Sequence, residues 1–343
     1  MGPLVGALAW LQGNDTYDMA TVLCVVSGIF YLYQCFFNRP REIYVAELYF
    51  YPIKGCRGIK VSKCNLCPTG IKDDRRYMIV NEKGHYRTQR ETPKLSLISP
   101  FLLDDGSLYL RADGMWDITC PKIFDGPKVT AFIWDDKVEG CVDQGDEVAD
   151  WINDFLDTEG YRLIYMTHPS EVSREIPEKY ADRSILGDGH LSASFADAFG
   201  YLMIGLESLT ALNHQLVKNG HDILPMNRFR PNIVTVGGKP FEEDTFAVFK
   251  IGAYNFLGLK HCQRCVYTTT DQNTSEQAGI NGEPLVTLRT FRTDPNMKNN
   301  VAFGENLQQI VPADKQGTDE FTGVLRVGDR IQVMTRKAGL AGF

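Results

Sequence analysis

The segment from residue 255 to residue 270 reads NFLGLKHCQRCVYTTT and places Cys262 and Cys265 directly after an apolar strand pattern. Two cysteines separated by two residues form a redox dithiol, half of a zinc site, or one functional thiol beside a structural one. A redox dithiol normally opens a helix after a strand, whereas residues 266–270 are β-branched and predict a further strand. A zinc site needs a second pair, which only the distant Cys64 and Cys67 offer. The segment therefore favours one functional thiol in a β-rich fold.

Cationic residues surround that thiol in the sequence. Arg264 adjoins Cys265, and Lys260 and His261 are close to it. Cationic surroundings favour the thiolate form, which is the form that binds metals. Cys265 is therefore a candidate soft metal ligand. Five of the other cysteines are predicted to be buried as small apolar side chains, namely Cys56, Cys64, Cys67, Cys120 and Cys141.

Two more polar motifs lie next to predicted strands. In residues 51–58 (YPIKGCRG), Lys54 and Gly55 combine a cation with a backbone that a ligand can approach, as phosphate sites require. In residues 228–232 (RFRPN), Arg230 offers a planar fork and Asn232 offers a donor and an acceptor for a heterocycle. Each motif alone is equally compatible with a solvated polar loop.

Charge is distributed unevenly along the 343 residues. The formal net charge is −7, which argues against nucleic-acid binding. Residues 54–94 nevertheless contain 11 Lys and Arg against 4 Asp and Glu, a local charge of +7. This basic stretch indicates a bound anion or an acidic partner, with a solvated basic face as the alternative.

Hydrophobic periodicity predicts many strands and few helices. Strands are predicted at residues 43–51, 77–80, 85–88, 95–98, 108–111, 129–134, 161–166, 232–236, 246–251 and 255–259. Turn sequences predict hairpins around residues 81–84 and within residues 324–334. Helices are predicted around residues 148–156 and 206–216. The polar segment 169–189 predicts a domain boundary, and the whole pattern predicts a barrel-like α+β fold.

An uncharged apolar run occupies residues 19–37. As a helix it would span about 28 Å, close to the thickness of a hydrocarbon core. Acidic residues precede it, whereas Arg39 and Arg41 follow it, which orients its C-terminal side toward the cytosol. A cleaved signal peptide is the alternative, but the run is long and no basic region precedes it. We therefore expect a transmembrane anchor.

Taken in order, the motifs resemble the MOSC superfamily, named after the C-terminal domain of molybdenum cofactor sulfurases. The matching segments are residues 51–58 (YPIKGCRG), 74–77 (DRRY), 88–90 (TQR), 195–197 (FAD), 228–232 (RFRPN), 262–265 (CQRC) and 324–329 (VLRVGD). The resemblance covers about residues 43–337, which makes it more specific than any single motif. The apolar segment narrows it to the mitochondrial amidoxime reducing components.

The resemblance implies a β-rich α+β fold in which two domains are interwoven. A β-barrel-like N-terminal MOSC domain would occupy residues 43–170, and a C-terminal MOSC β-barrel domain would occupy residues 185–337. Residues 1–18 would be an N-terminal tail and residues 19–37 a transmembrane signal anchor. The molybdenum cofactor, molybdenum bound to molybdopterin, would lie between the domains.

The resemblance also assigns roles to residues. Cys265 would ligate molybdenum, and Asp197 would lie near the metal as a second catalytic residue. The cofactor-binding residues would be Lys54, Gly55 and Arg75 at the phosphate and Arg230, Asn232, Gln263 and Arg264 along the pterin. The chain departs from the family pattern where Ala198 replaces the start of a Ser-Pro pair and where Gln263 replaces a serine.

The implied activity is the reduction of N-hydroxylated substrates, such as amidoximes and hydroxylamines. Electrons would come from NADH through NADH-cytochrome b5 reductase and cytochrome b5, in agreement with the absence of a nucleotide-binding fingerprint. Basic residues not used on the cofactor would receive the acidic cytochrome, namely Arg57, Lys60, Lys63, Lys83 and Lys94. The expected location is the mitochondrial outer membrane with the catalytic domain in the cytosol, or else the endoplasmic reticulum or peroxisome membrane. The alternatives are a non-catalytic molybdenum-cofactor or sulfur-carrier module and a membrane scaffold.

Overall fold

The computed structural model describes residues 41–167, 174–176, 192–295, 300–315 and 318–340. The chain separates into two compact units, residues 1–41 and 42–343, and nearly all described residues belong to the second. In these described ranges no helix is both long and apolar enough to cross a membrane. The predicted tail and the anchor at residues 19–37 lie outside the described residues, as does most of the predicted boundary segment 169–189.

Strands dominate the described part of the chain. In chain order they are β1 (Ile43–Phe50), β2 (Ile59–Val61), β3 (Lys63–Cys67), β4 (Gly70–Ile71), β5 (Tyr77–Val80), β6 (Ser99–Leu102), β7 (Leu108–Arg111), β8 (Ile118–Cys120), β9 (Lys128–Ile133), β10 (Asp136–Asp143), β11 (Arg162–Tyr165), β12 (Arg174–Glu175), β13 (Ser192–Ala193), β14 (Tyr201–Gly205), β15 (Ile233–Val236), β16 (Phe246–Ile251), β17 (Tyr254–Gln263), β18 (Thr293–Asp294), β19 (Asn300–Gln309), β20 (Gly323–Arg326) and β21 (Arg330–Arg336). The α-helices are α1 (Asp146–Leu156), α2 (Leu206–Lys218) and α3 (Leu285–Arg289). Short 3-10 helices lie at Pro93–Leu97, Met226–Arg228, Glu242–Thr245, Val266–Thr269 and Ala313–Lys315.

Seven strands close into a barrel. Their order is β14-β15-β1-β21-β16-β17-β19, and β19 pairs back onto β14. All neighbours are antiparallel except β14 and β15. Closure satisfies the backbone groups that a sheet edge would expose, and side chains such as Leu48, Met203, Phe249 and Phe256 fill the interior. The β-rich, barrel-containing fold with few helices is therefore confirmed, and β1 brings the N-terminal segment into this barrel.

The N-terminal half also contains two smaller sheets, ordered β5-β11-β10-β9 and β6-β7-β8. The apolar face of α1 packs on them, with Trp151 and Ile152 fully buried. The helix predicted at residues 148–156 is thus confirmed as α1, and the residue that caps its C-terminal end, Asp157, adopts a left-handed conformation. The helix predicted at residues 206–216 is confirmed as α2.

Three local predictions were wrong, and a fourth, the strand at residues 85–88, is reduced to isolated bridges. Residues 95–98 belong largely to the 3-10 helix Pro93–Leu97, because the proline fits a first helical turn. The hairpin within residues 324–334 does not form, because β20 pairs with β3 while β21 enters the barrel between β1 and β16. The strand after Cys265 is the 3-10 helix Val266–Thr269, where threonine hydroxyls donate to carbonyls three residues earlier.

The turn predicted at residues 81–84 is present, since the Gly84 amide donates to the Asn81 carbonyl at 2.8 Å. Its second arm is not a strand, because His85 and Tyr86 form only isolated bridges. β5 also pairs with β11, a segment that is distant in sequence. The structure therefore keeps the local turn and a short local pairing, the Val80–Tyr86 bridge, and adds a longer pairing with a distant strand.

Candidate functional site

Loops at the ends of several strands surround a cleft of about 140 Å³. All nine residues singled out in the sequence line it: Lys54, Gly55, Arg75, Asp197, Arg230, Asn232, Gln263, Arg264 and Cys265. Lys54 and Gly55 follow β1, Asn232 precedes β15, and Cys265 follows β17. The cleft reaches solvent, because the Asp197 side chain is 53 % exposed. The structure thus brings these residues together, and their individual roles stay predictions.

Two guanidinium groups are fixed beside one aromatic ring. The central carbons of Arg75 and Arg230 each lie 4.2 Å from the centroid of the Tyr51 ring. Arg75 donates to the Asp74 carboxylate at 2.5 Å, and Arg230 donates to the Cys56 carbonyl at 2.6 Å. Both arginines have positive φ angles, 48° and 54°, a conformation that residues other than glycine rarely adopt. Such strain accumulates at functional sites, where the surroundings enforce it.

Asn232 and Arg264, which the resemblance assigns to pterin binding, are hydrogen-bonded to other groups of the protein. The Asn232 amide oxygen accepts from Arg75 Nη1 at 3.0 Å, and its amide nitrogen donates to the Tyr49 carbonyl at 3.2 Å. The Arg264 guanidinium donates to the carbonyls of Phe229 and Phe303. Asn232 therefore positions Arg75, and Arg264 fixes the wall of the cleft.

Lys54 and Asp197 form an ion pair at the mouth of the cleft. Burial lowers the pKa of Lys54 to about 8, although the Asp197 carboxylate opposes that shift. Burial acts to raise the pKa of Asp197, but Lys54 and Arg90 outweigh it and hold that pKa below its usual value. Because Asp197 is half exposed, we assign the pair little stabilising energy. The pair therefore exposes Asp197 to a ligand, whereas Lys54 is buried and also donates to the Phe195 carbonyl at 2.9 Å.

Two residues of the cleft were missed as site residues, although both lie in motifs that carry the resemblance. Arg90 Nε donates to Cys265 Sγ at 3.2 Å and Nη2 donates to Asp197 at 3.2 Å, while its Nη1 is buried without a partner. Arg228 Nη2 donates to Asp271 at 2.8 Å, while its Nε is buried without a partner. A single arginine in a loop carries no local signal, so only the three-dimensional structure identifies these two.

The lining fits an anionic ligand that contains a thiolate-binding metal. Six cationic side chains and one carboxylate line the cleft: Lys54, Arg75, Arg90, Arg228, Arg230, Arg264 and Asp197. Asp74 and Asp271 lie outside the lining and pair with Arg75 and Arg228, so the cations exceed the carboxylates by three. This excess and the unpartnered Arg228 Nε call for acceptors, which a phosphate-bearing group supplies. The Cys265 thiol lies in the same lining and is not part of a disulfide. The site thus offers donors for a phosphate and one soft ligand for a metal.

The five cysteines predicted to be buried behave as predicted, whereas Cys262 is half-buried in the cleft lining. Cys56, Cys64, Cys67, Cys120 and Cys141 are buried and free. Burial raises the pKa of each thiol, to about 11 for Cys67 and to about 12 for the others. Among the described residues, the cysteine pairs of the zinc alternative do not gather into a potential metal cluster.

Comparisons with known proteins identify the family of this chain. The family described as MOSC N-terminal beta barrel domain matches residues 42–159, and the MOSC domain family matches residues 190–332. Mitochondrial amidoxime reducing component 2 of Rattus norvegicus is 34 % identical over 84 % of this chain and 83 % of its own length. The Bos taurus protein of the same name is 31 % identical over 85 % and 83 %. Molybdenum cofactor sulfurase of Arabidopsis thaliana is 29 % identical over 80 % of this chain and 34 % of its own length. This chain belongs to the MOSC-domain family of molybdenum-cofactor proteins that includes the mitochondrial amidoxime reducing components.

Proposed function

We propose that the chain is a molybdenum-dependent oxidoreductase that reduces N-hydroxylated compounds, such as amidoximes and hydroxylamines. The observation that carries the proposal is the Cys265 thiol at the wall of a cation-rich cleft that reaches solvent beside Asp197. Relatives at 31 % to 34 % identity are named for amidoxime reduction. When bound, the molybdenum cofactor supplies two-electron reduction with uptake of an oxygen atom. The net reaction takes two electrons and two protons and releases the amidine or amine and water.

The protein's own residues would bind and orient. Arg75 and Lys54 offer cations to the cofactor phosphate, and Cys265 offers the metal a sulfur ligand. Asp197 is held beside the thiol by Lys54 and Arg90. A carboxylate at the exposed mouth is placed to accept a hydrogen bond from the N–OH or amino group of a substrate. The protein therefore supplies position and charge around the group that carries the redox chemistry.

We propose cytochrome b5, reduced by NADH-cytochrome b5 reductase, as the electron donor. Lys60 and Lys63 are exposed near the start of the basic stretch, and Lys60 pairs with Glu47. Arg57 and Lys94 are less suited to docking, because they donate to the carbonyls of Gln272 and Phe155. Exposed charges steer an acidic partner, and this steering weakens as the Debye length falls from about 10 Å at 0.1 M salt to about 3 Å at 1 M.

Charge reversal tests the donor. We expect Lys60→Glu with Lys63→Glu to raise the Michaelis constant for cytochrome b5 and to leave reduction by a neutral dye unchanged. Lys218→Glu, at the exposed end of α2, is the matched control for an added negative charge. High salt should slow the cytochrome reaction and spare the dye reaction. Equal damage to both reactions, or no salt dependence, would count against this docking surface.

We also propose a mitochondrial location, since relatives are named mitochondrial components. Residues 19–37 would anchor the chain in the outer membrane, with the catalytic domain facing the cytosol. Deleting residues 1–41 should give an active enzyme that leaves the membrane fraction. Retention in the membrane, or protection of the catalytic domain from protease in intact organelles, would contradict this topology.

The second candidate is a non-catalytic molybdenum-cofactor or sulfur-carrier module, which the similarity to a molybdenum cofactor sulfurase favours. Metal analysis combined with turnover separates the alternatives. An oxidoreductase holds molybdenum and pterin and reduces an amidoxime with a chemical electron donor. A carrier holds the cofactor without turnover and transfers it, or sulfur, to an acceptor protein. A membrane scaffold holds neither molybdenum nor pterin.

A further inference from the structure

Arg90 is held rigidly at the cleft by the segment that carries it. The neighbouring Gln89 is fully buried, and its amide nitrogen donates to the Gly55 carbonyl at 2.6 Å. Gln277 donates to the Gln89 carbonyl at 2.8 Å, so both the side chain and the backbone of Gln89 are anchored. The Arg90 amide donates to the Thr88 hydroxyl at 3.2 Å. The segment therefore fixes the backbone from which the Arg90 side chain extends.

Trp134 holds the other end of that side chain. The Arg90 guanidinium carbon lies 4.7 Å from the Trp134 ring centroid and 5.5 Å from that of Tyr267. Trp134 occupies the two-residue turn between β9 and β10 with a φ of 54°. Such turns favour Asn, Asp or Gly, and a bulky residue there is strained. The strained turn thus places an aromatic ring against the one arginine that contacts Cys265 in the described part of the chain.

The three nitrogens of Arg90 have different roles. Nε donates to the Cys265 sulfur, Nη2 donates to Asp197, and Nη1 is buried without a partner. Because a guanidinium is planar, two occupied donors fix the direction of the third. Arg90 lines the cleft together with Cys265 and Asp197, the two residues that its other nitrogens contact. A small ligand with an oxygen atom would complete it.

We propose that Arg90 is a positioning and substrate-binding residue: its Nε orients the Cys265 sulfur, its Nη1 binds the oxygen of an N-hydroxylated substrate, and Trp134 maintains its plane. The substrate part of this inference rests on the proposed function. A hydrogen bond to a sulfur ligand changes the electron density that the sulfur gives to a metal. Arg90 therefore acts on both the metal environment and the substrate, which a merely structural arginine does not.

The test compares three variants of the molybdenum-loaded full-length protein. Arg90→Lys keeps the charge and removes the planar fork, and Trp134→Ala removes the stacking ring. Arg87→Lys is the matched control, because Arg87 is 21 % exposed against 20 % for Arg90, pairs with Glu91 and lies outside the cleft lining. Molybdenum and pterin content are measured first. Steady-state kinetics with an amidoxime follow, and then the electron paramagnetic resonance spectrum after partial reduction.

We expect Arg90→Lys to lower kcat/KM by about 10- to 100-fold, the effect of losing a charge-assisted hydrogen bond, and to shift the resonance spectrum at normal molybdenum content. Trp134→Ala should lower kcat/KM by about 3-fold and should shift the resonance spectrum in the same direction as Arg90→Lys does. Arg87→Lys should match wild type. If Arg90→Lys does not fold, Trp134→Ala carries the same comparison alone.

Three outcomes would overturn the inference. One is an Arg90→Lys enzyme with wild-type kinetics and spectrum, and another is loss of molybdenum from it, which would make Arg90 a cofactor-retaining residue instead. The third is a Trp134→Ala enzyme that is indistinguishable from Arg87→Lys. If the wild-type protein holds molybdenum but reduces no N-hydroxylated compound, the proposed function fails. The spectra of Arg90→Lys and Arg87→Lys then decide whether Arg90 acts on Cys265.

Discussion

Two charged regions of this molecule differ in charge balance, since one has an excess of cations and the other pairs its charges. The cleft lining has six cations and one carboxylate. On the barrel strands β17 and β19 and the 3-10 helix Glu242–Thr245 lies a buried ion network. In it the buried carboxylates Asp244 and Glu305 pair with Arg292 and Lys337, and His261 Nδ1 lies 2.8 Å from Glu305. The buried network pairs each of its carboxylates with a fixed cation. In the cleft Asp197 is paired as well, but the six cations outnumber by three the carboxylates that pair with them, Asp197, Asp74 and Asp271. Charge that the protein leaves uncompensated indicates a ligand, because burying it without partners is costly.

The same comparison argues against a second metal site. Asp244, His261 and Glu305 are close enough together to be ligands of one ion. Arg292 Nη2 already donates to Asp244 at 2.5 Å, and Lys337 pairs with Glu305. A divalent cation there would meet two fixed positive charges, so we interpret this region as a structural ion network. The cleft has the reverse arrangement, with spare donors and a free thiol.

The largest expected effect is the loss of the thiol of the cleft. Cys265→Ser should abolish turnover while most of the pterin is retained, because the cationic lining still binds the phosphate. Cys262→Ser is the matched control, since Cys262 lies only three residues earlier on β17, and it should keep substantial activity. Turnover, molybdenum and pterin are measured on the same preparations. Equal loss in both variants, with zinc recovered in place of molybdenum, would remove the distinction between the two cysteines.

The next largest effect concerns the buried network, in which Asp244 and Glu305 pair with Arg292 and Lys337. Arg292→Met leaves the Asp244 carboxylate, which is 1 % exposed, without its cation. Removing one partner of a buried pair costs about 3 to 5 kcal/mol, so urea unfolding should show a loss of that order. Arg336→Met, which breaks the half-exposed pair with Glu242, should cost less than about 1 kcal/mol. Similar losses in the two variants would show that the Asp244 pair is not a special element of stability.

The sequence predicted elements better than their pairing. Residues 246–251 form β16 as expected, because strand propensity is a property of the segment itself. The separation of β20 from β21 was not predictable, because their partners, β3 for one and β1 and β16 for the other, are far away in the chain. Thr268 and Thr269 suggested a strand, but their hydroxyls bond locally and stabilise a 3-10 turn. Local patterns thus encode elements, while tertiary contacts select partners.

The site followed the same rule. Residues in recognisable motifs, such as Lys54, Arg230 and Cys265, were predicted from the sequence and do meet at the cleft. Arg90 and Trp134 were not, since nothing near them in the sequence relates a hairpin turn to a thiol that follows β17. A φ of 54° at Trp134 becomes visible only in the structure. Resemblance located the site, and geometry identified its supporting residues.

A smaller effect is expected where the cleft loses one of its spare cations. Lys54→Met should lower cofactor retention by about 10-fold, the lower end of the range for losing a charged hydrogen bond to the phosphate. The stability of the cofactor-free protein should stay within about 1 kcal/mol of wild type, because burial already disfavours the charged lysine, whose pKa is about 8. Pterin content after gel filtration and urea unfolding measure the two quantities. A large loss of stability with full retention of pterin would show that Lys54 stabilises the fold and does not hold the cofactor.

The smallest effect is the pH dependence of the stability that His261 contributes to the buried network. Burial acts to lower the pKa of His261, but Glu305 and Asp244 outweigh burial and the opposing charge of Lys337, so the pKa is raised. A histidine with a raised folded-state pKa stabilises the fold fully below its unfolded pKa of about 6.5 and loses that contribution as pH rises through the folded pKa. Unfolding free energies of wild type and His261→Gln should therefore converge as pH increases from about 6 toward 8.5. The neighbouring Glu243, whose burial raises its pKa to about 7, titrates in the same range in both proteins and cancels in the difference. A difference that is constant or grows with pH would mean that His261 is neutral in the network.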